Sequence, residues 1–365
     1  MPQLARLAVI QPARPAALLS AREKEDPETY RNHAHRLDLA HDDFDLAFKQ
    51  RVIEETIEQL ADLLEEAGDA GCDLALLPEC CLPIGDPKLA VRERMAEVCL
   101  WAEERWLART RPLARQHDML IASCYYRAEP PGSAGVSPAG DPRGAGIPAR
   151  EPEAKLHNDA VLMDERGEVA GIYHKVHLPC PLEWDLTEAG VFEAGSEYPL
   201  FETRIGRVGF LICYDIDFPE AAACYALQGA DLLLHPTVGY NFPDEEEVVG
   251  EARLRTRATD HSVPIAYANF GPAPGRSAIY SHNGNQLVCA GRQVEAVAFA
   301  DVELGGPRPI NWGDDLPYGD HRERLARKRR PDTYGLLTER VPPLLAAKTE
   351  PGEPFYEYVR DVGLD

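Results

Sequence analysis

The sequence predicts an α/β fold layered around mixed β-sheet. Single helical segments alternate along the chain with strand-like runs, and some of those runs come in pairs joined by tight turns. Several runs, such as Val208 to Ile212, are apolar without interruption, as strands covered on both faces are. Paired strands among helices exclude a simple parallel barrel.

The elements follow in order. Leu4 to Gln11 reads as a first strand, and residues 12–45 carry charges, prolines and histidines without periodicity, as a surface insertion does. Apolar residues at Leu46, Ile53, Ile57, Leu60 and Leu64 mark one face of a helix that Gly68 and Gly71 end. Leu74 to Leu77 is a short strand delivering Glu79. A second helix covers roughly Val91 to Gln116, with a break or kink expected at Pro112, and Met119 to Tyr125 is a strand. Residues 128–153, rich in Pro, Gly and Ala, read as a loop within one domain, because strands resume directly after them. Asn158 to Met163 and Val169 to His174 flank Asp-Glu-Arg-Gly as a hairpin. After Cys213 come a helix from Pro219 to Gln228, a strand from Asp231 to His235, a helix over 245–261 and a strand from Val263 to Phe270. A second hairpin turns at Asn283-Gly284 and returns through Gln286 to Ala290, and Val294 to Val302 is the last strand.

Residues 305–365 are rich in charge and proline and read as an arm. Trp312, Tyr318, Tyr334, Phe355 and Tyr356 are costly to expose, so the arm is expected to pack on the body or on a second subunit. No internal repeat is visible.

The formal net charge of −23 over 365 residues excludes nucleic acid and anionic membrane surfaces as partners, since both repel it. Nine scattered cysteines, with Cys80-Cys81 adjacent and no C-x-x-C, suggest neither a disulfide framework nor a zinc site. With no long apolar stretch, the expectation is a soluble, cytoplasmic protein.

Three strand-like runs each deliver a functional group at their end: Glu79, Lys175 and Cys213. A carboxylate, an ammonium and a thiol so delivered can serve as base, electrophilic stabiliser and nucleophile, which suits amide hydrolysis through a thioester. Each alone is a weak signal, because a free cysteine is most often an inert buried hydrophobe. Together they outweigh the rivals. His174 and His177, three apart on a strand, face opposite sides, so sharing a metal needs a turn there. G-x-S-x-G and G-x-x-x-x-G-K-[ST] are absent, against a serine-hydrolase elbow and ATP-coupled use of ammonia.

The segments LLPEC at 76–80, YHKVHLP at 173–179 and GFLICYDIDFPE at 209–220 resemble the nitrilase superfamily of carbon–nitrogen hydrolases, over roughly residues 1–303. The resemblance implies a four-layer αββα sandwich over residues 1–304 that pairs into a homodimer. It also implies a catalytic triad of Glu79, Lys175 and Cys213, with no cofactor and no metal. Many members have a second glutamate beyond the lysine. Glu183 fits the spacing of the aliphatic-amidase-like pattern, and Glu188 is the fallback. The backbone N–H of Tyr214 is expected in the oxyanion site.

Nitrile-cleaving members typically have Trp-Glu after the cysteine, so Tyr214-Asp215 favours amide-type substrates. Asp217 departs from the arginine of many amidase-like members. It reads either as a preference for cationic substrates or as the partner of a local arginine. The expected activity is hydrolysis of a small linear amide or N-carbamoyl compound. The alternatives are a catalytically idle binding or regulatory member and one that transfers its acyl group to an amine.

Overall fold

The computed structural model describes residues 3–13, 36–129, 154–179, 188–239, 244–271, 275–308 and 320–339. Twelve strands form two six-stranded sheets among these residues. The first sheet holds β1 (Gln3–Gln11), β2 (Leu74–Leu76), β3 (Leu120–Glu129), β4 (Lys155–Met163), β5 (Val169–His174) and β12 (Ala296–Leu304), in the order β12-β1-β2-β3-β4-β5. The second holds β6 (Phe201–Thr203), β7 (Gly206–Phe210), β8 (Leu232–Pro236), β9 (Ile265–Ala268), β10 (Ala278–Tyr280) and β11 (Gln286–Cys289), in the order β11-β10-β9-β8-β7-β6. In each sheet three parallel strands, β1-β2-β3 and β7-β8-β9, are extended by antiparallel neighbours. Both sheets therefore repeat one pairing pattern, which the sequence does not show as a repeat.

The helices are α1 (Leu46–Asp69), α2 (Arg92–His117), α3 (Pro219–Gln228), α4 (Asp244–His261) and α5 (His321–Lys328). Alternation along the strands explains the layers, because successive side chains point to opposite faces. Ala8, Ile10, Ala75 and Ile121 face outward onto Ile53, Leu60 and Leu64 of α1 and Trp106 of α2. Their neighbours Leu7, Val9, Leu74 and Leu120 face inward onto Val208, Phe210, Leu232 and Ala266 of the other sheet. Leu211, Leu233 and Ile265 then face out onto Ala221, Tyr225, Leu254 and Ala258 of α3 and α4. Three apolar cores between four layers make an αββα sandwich. Truncating one fully buried core residue such as Leu60 costs about 2–5 kcal/mol, the range for cavity-forming changes.

Local signals account for the helix ends. Asp45 caps α1 by accepting from the Phe48 N–H at 3.0 Å, worth about 1 kcal/mol. Gly68, expected as a stop signal, lies inside α1, and the helix ends one residue later. A Cβ on it would meet the His117 ring at 2.2 Å, so this glycine lets the two outer helices approach. α2 runs unbroken through Pro112, so of the expected break or kink no break occurs. The arm's described part packs on its own body: Arg322 Nη1 donates to the Ala230 carbonyl at 2.6 Å, and Arg308 Nη2 to the Asp231 carbonyl at 2.9 Å. Of the five arm aromatics named above only Tyr334 is described, and it is half-buried; Trp312, Tyr318, Phe355 and Tyr356 lie outside the described residues. No helix among the described residues is long and apolar enough to cross a membrane.

Candidate active site

Glu79, Lys175 and Cys213 come together between the two sheets, each just past the C-terminal end of its strand. Leu77 and Cys81 donate backbone bonds to Ala122 and Cys124 of β3 at 2.9 and 3.0 Å, holding both sides of the Glu79 turn. Cys80 completes the turn with φ of +53°. Lys175 is gripped by its own backbone: its N–H donates to the Asn158 carbonyl at 3.0 Å, and its carbonyl accepts from the Gly195 N–H at 2.9 Å. A Cβ at Gly195 would lie 2.1 Å from the His174 carbonyl oxygen, so only glycine permits that approach.

The third of these residues sits on a strained turn. Cys213 has φ of +44°, a left-handed conformation that costs a non-glycine residue about 1–2 kcal/mol. Asp215, fully buried, holds it in place. Its Oδ2 accepts from the Tyr173 hydroxyl at 2.8 Å and the Ile212 N–H at 3.0 Å. Its Oδ1 accepts from the N–H and Nδ1 of His177 at 2.9 and 2.8 Å. His235 adds a side-chain bond from Nδ1 to the Leu211 carbonyl at 2.6 Å.

The carboxylates surround a single ammonium. Lys175 Nζ donates to Glu79 Oε1 at 2.8 Å and to Glu188 Oε2 at 2.9 Å. Asn158 Nδ2 donates to Glu79 Oε1 at 2.8 Å and to Glu188 Oε1 at 3.0 Å. Glu79 Oε2 accepts from the Val238 N–H at 3.0 Å. The Cys213 thiol sits beside Glu79 and Thr237, and both act on its proton affinity. Burial opposes charge on Glu79, yet Lys175, Asn158 and Cys213 hold its carboxyl below the usual range. Burial pushes Glu188 up, and the neighbouring Glu79 charge adds to this against the pull of Lys175. Lys175 is held charged, because the two carboxylates outweigh its burial. Burial and then the Glu79 charge raise the Cys213 thiol, so the resting pair is thiol and carboxylate.

Of the sequence-predicted residues, Glu188 stands at Lys175, and Glu183 lies outside the described residues. Tyr214 is the second residue of a short 3₁₀ segment, Cys213–Asp217, whose first N–H groups have no intrahelical acceptor. Its side chain is exposed. Asp217 pairs with Arg253 at 2.7 Å, the local-arginine reading of that position. His174 and His177 part company: the first bonds Asp159, and the second bonds Asp215 and stacks on Phe218. The sequence reading missed Asn158. Its signal was a lone amide on the same strand face as Ala160 and Leu162, which point into the inter-sheet core. It also missed the anchoring role of Asp215, which needed the fold to bring Tyr173 and His177 to it.

Cys213 opens into a cavity of about 170 Å³, walled by Tyr214, Ile216, Leu254, Tyr267 and Tyr280. Glu251 on its rim is paired with Arg255 and Arg276 at 2.7 and 3.0 Å.

The family model described as carbon-nitrogen hydrolase matches residues 46–310. This chain belongs to the carbon-nitrogen hydrolase family. It is 32% identical over 174 residues to a probable nitrilase of Schizosaccharomyces pombe, covering 45% of this chain and 60% of that protein. It is 28% identical over 200 residues to the N-carbamoylputrescine amidase of Solanum tuberosum, covering 50% and 63%. A citrullinase of Francisella tularensis is 28% identical over 202 residues, covering 49% and 64%. The matched stretch thus spans less than two thirds of each of these curated relatives. Among solved structures, a carbon-nitrogen hydrolase from Helicobacter pylori superposes with a TM-score of 0.64 at 20% identity, covering 93% of this chain and 99% of that one. An amidase from Nesterenkonia superposes with a TM-score of 0.58 at 23% identity, covering 90% and 94%. These carbon-nitrogen hydrolase structures share the αββα architecture described above.

Proposed function

We propose that this hydrolase-family chain cleaves the non-peptide C–N bond of a small linear amide or N-carbamoyl compound through a thioester on Cys213. The observation that carries the reading is one buried ammonium, Lys175, held between Glu79 and Glu188, with the Cys213 thiol beside the same Glu79. In the first half-reaction Glu79 takes the thiol proton as Sγ attacks the carbonyl carbon. The oxyanion is met by the Lys175 ammonium and the Tyr214 N–H. Glu79 returns the proton to the departing ammonia or amine, leaving the acyl group on sulfur. Water then adds to the thioester with Glu79 as base, restoring the thiol and releasing the acid. A carbamoyl substrate leaves as ammonia and a carbamate, which decomposes to amine and carbon dioxide. Glu188 and Asn158 keep Lys175 and Glu79 in register through both halves. The intact contacts among Glu79, Lys175 and Cys213 favour this over an idle binding member.

The N-carbamoylputrescine amidases and the citrullinase among the relatives support a carbamoyl-type substrate, and the modest cavity suits a small molecule. We read the working form as a homodimer, from the pairing habit of the family, with sedimentation as its check. Ammonia release tests the activity, across a panel of simple amides, carbamoyl amines, carbamoyl amino acids and nitriles, comparing the chain with Cys213→Ala. Release from an amide or carbamoyl compound that Cys213→Ala abolishes is expected. Release confined to nitriles, or unaffected by Cys213→Ala, overturns the reading.

A further inference from the structure

We propose that His157, Asp159 and His174, on the opposite face of the same two strands, form a binding site for a borderline divalent ion of the zinc class. His157 and Asp159 are alternate residues of β4, and His174 of β5 is the register partner of Asp159. The pleat therefore puts all three side chains on one face, while Asn158 between them points to the catalytic cluster. Their nitrogen and carboxylate ligand atoms all lie within 4.8 Å of one another.

The second observation is His157 itself. The residue is 7% exposed, and its Nε2 is enclosed with no hydrogen-bond partner among the described residues. Its other nitrogen faces the Glu193 carbonyl at 3.1 Å. A carbonyl only accepts, so the proton sits on Nδ1 and Nε2 presents a bare lone pair. This is how an imidazole ligand is oriented, with one nitrogen tied to a backbone oxygen and the other aimed at the ion.

The other two ligands are placed to match. Arg127 Nη1 takes only Asp159 Oδ2, at 2.9 Å, while Oδ1 accepts from His174 Nδ1 at 2.7 Å. An ion between Asp159 Oδ1 and His174 Nδ1 replaces that shared proton. Glu129 Oε2, 3.9 Å from His157 Nε2, is in reach as a fourth oxygen ligand, giving the two imidazoles and two carboxylates that suit zinc-class ions. Arg127 is paired with Glu103 as well as Asp159, so its charge is already offset. The sequence hid this site because its ligands are spread over two strands, with no motif spacing.

Cobalt(II) titration of the full-length chain in a Cys213→Ala background tests it, after chelator treatment and dialysis. That background keeps the active-site thiol from competing for metal. One equivalent should bind, with visible d–d absorption of a low-coordinate nitrogen–oxygen site, and zinc should displace it. His157→Gln and His174→Gln should each weaken binding by more than the ~10–100-fold that losing an outer-shell partner costs. Circular dichroism melts confirm that both variants are folded. His41→Gln, at a partly exposed histidine outside the cluster, controls for generic imidazole binding and should leave the titration unchanged. No stoichiometric cobalt binding, or binding that survives His157→Gln in folded protein, overturns the proposal.

Discussion

Lys175 Nζ lies 2.9 Å from Glu188 Oε2, thirteen residues along the chain, while its other carboxylate contact comes from Glu79 across the sheet. The ammonium is thus shared by two carboxylates, and Glu188 bears on the acid–base behaviour of Glu79. Glu188→Gln should lower kcat by about 10²-fold or more, as displacing a stabilising cation does. Glu183→Gln is the comparison. If Glu183→Gln is the damaging change and Glu188→Gln is near full activity, the second glutamate has been misplaced.

The same variant makes a pH prediction. Glu79 must be ionised to act as base, so activity falls on the acid side as the coupled carboxylates take up a proton. The Glu188 charge raises the pKa of its neighbour, so removing it makes Glu79 harder to protonate. The acid limb of kcat/KM for Glu188→Gln should move to lower pH. A shift to higher pH would mean that Glu188 is not coupled to the base.

In the proposed mechanism Cys213 reacts through Glu79 and not through a low resting pKa, since the thiol is pushed up. Iodoacetamide should still modify Cys213 readily, because Glu79 accepts its proton as the bond forms. Glu79→Gln should slow that modification by about 10²-fold or more. The exposed Cys224 should be unaffected and serves as internal reference in the mass spectrum. Equal slowing at both cysteines would count against Glu79 as base.

Asp215→Asn turns an acceptor of four hydrogen bonds into a group that presents donors to donors. With buried partners left unsatisfied, unfolding should become easier by about 2 kcal/mol or more, read as a lower denaturant midpoint. Turnover should fall further than stability explains, because the strained Cys213 turn loses its anchor; an unchanged kcat would show that the turn holds without it.

Gly195→Ala should damage catalysis without touching the cavity. The added methyl would meet the His174 carbonyl, so the end of β5 must move and carry Lys175 with it. Misplacing a catalytic group by about 1 Å can cost ~10²-fold in rate. Wild-type kcat in a folded Gly195→Ala protein would show that the strand end tolerates the shift.

By itself the sequence determined the order of the main strands and helices, though not β6 or α5, and the three strand ends that deliver Glu79, Lys175 and Cys213. These were legible because strands and helices write their burial into local periodicity, and because a functional group at a strand end is a local pattern. The tertiary structure alone decided which glutamate meets Lys175 among the described residues, since thirteen residues of loop separate Lys175 from Glu188. It also decided that Asn158 bridges the two carboxylates, that Asp215 anchors the Cys213 turn, and that Asp217 spends its charge on Arg253. The reason is the same each time. A hydrogen bond depends on separations of about 3 Å, set by sheet register and layer packing between segments distant in sequence, and no periodicity within either segment records them.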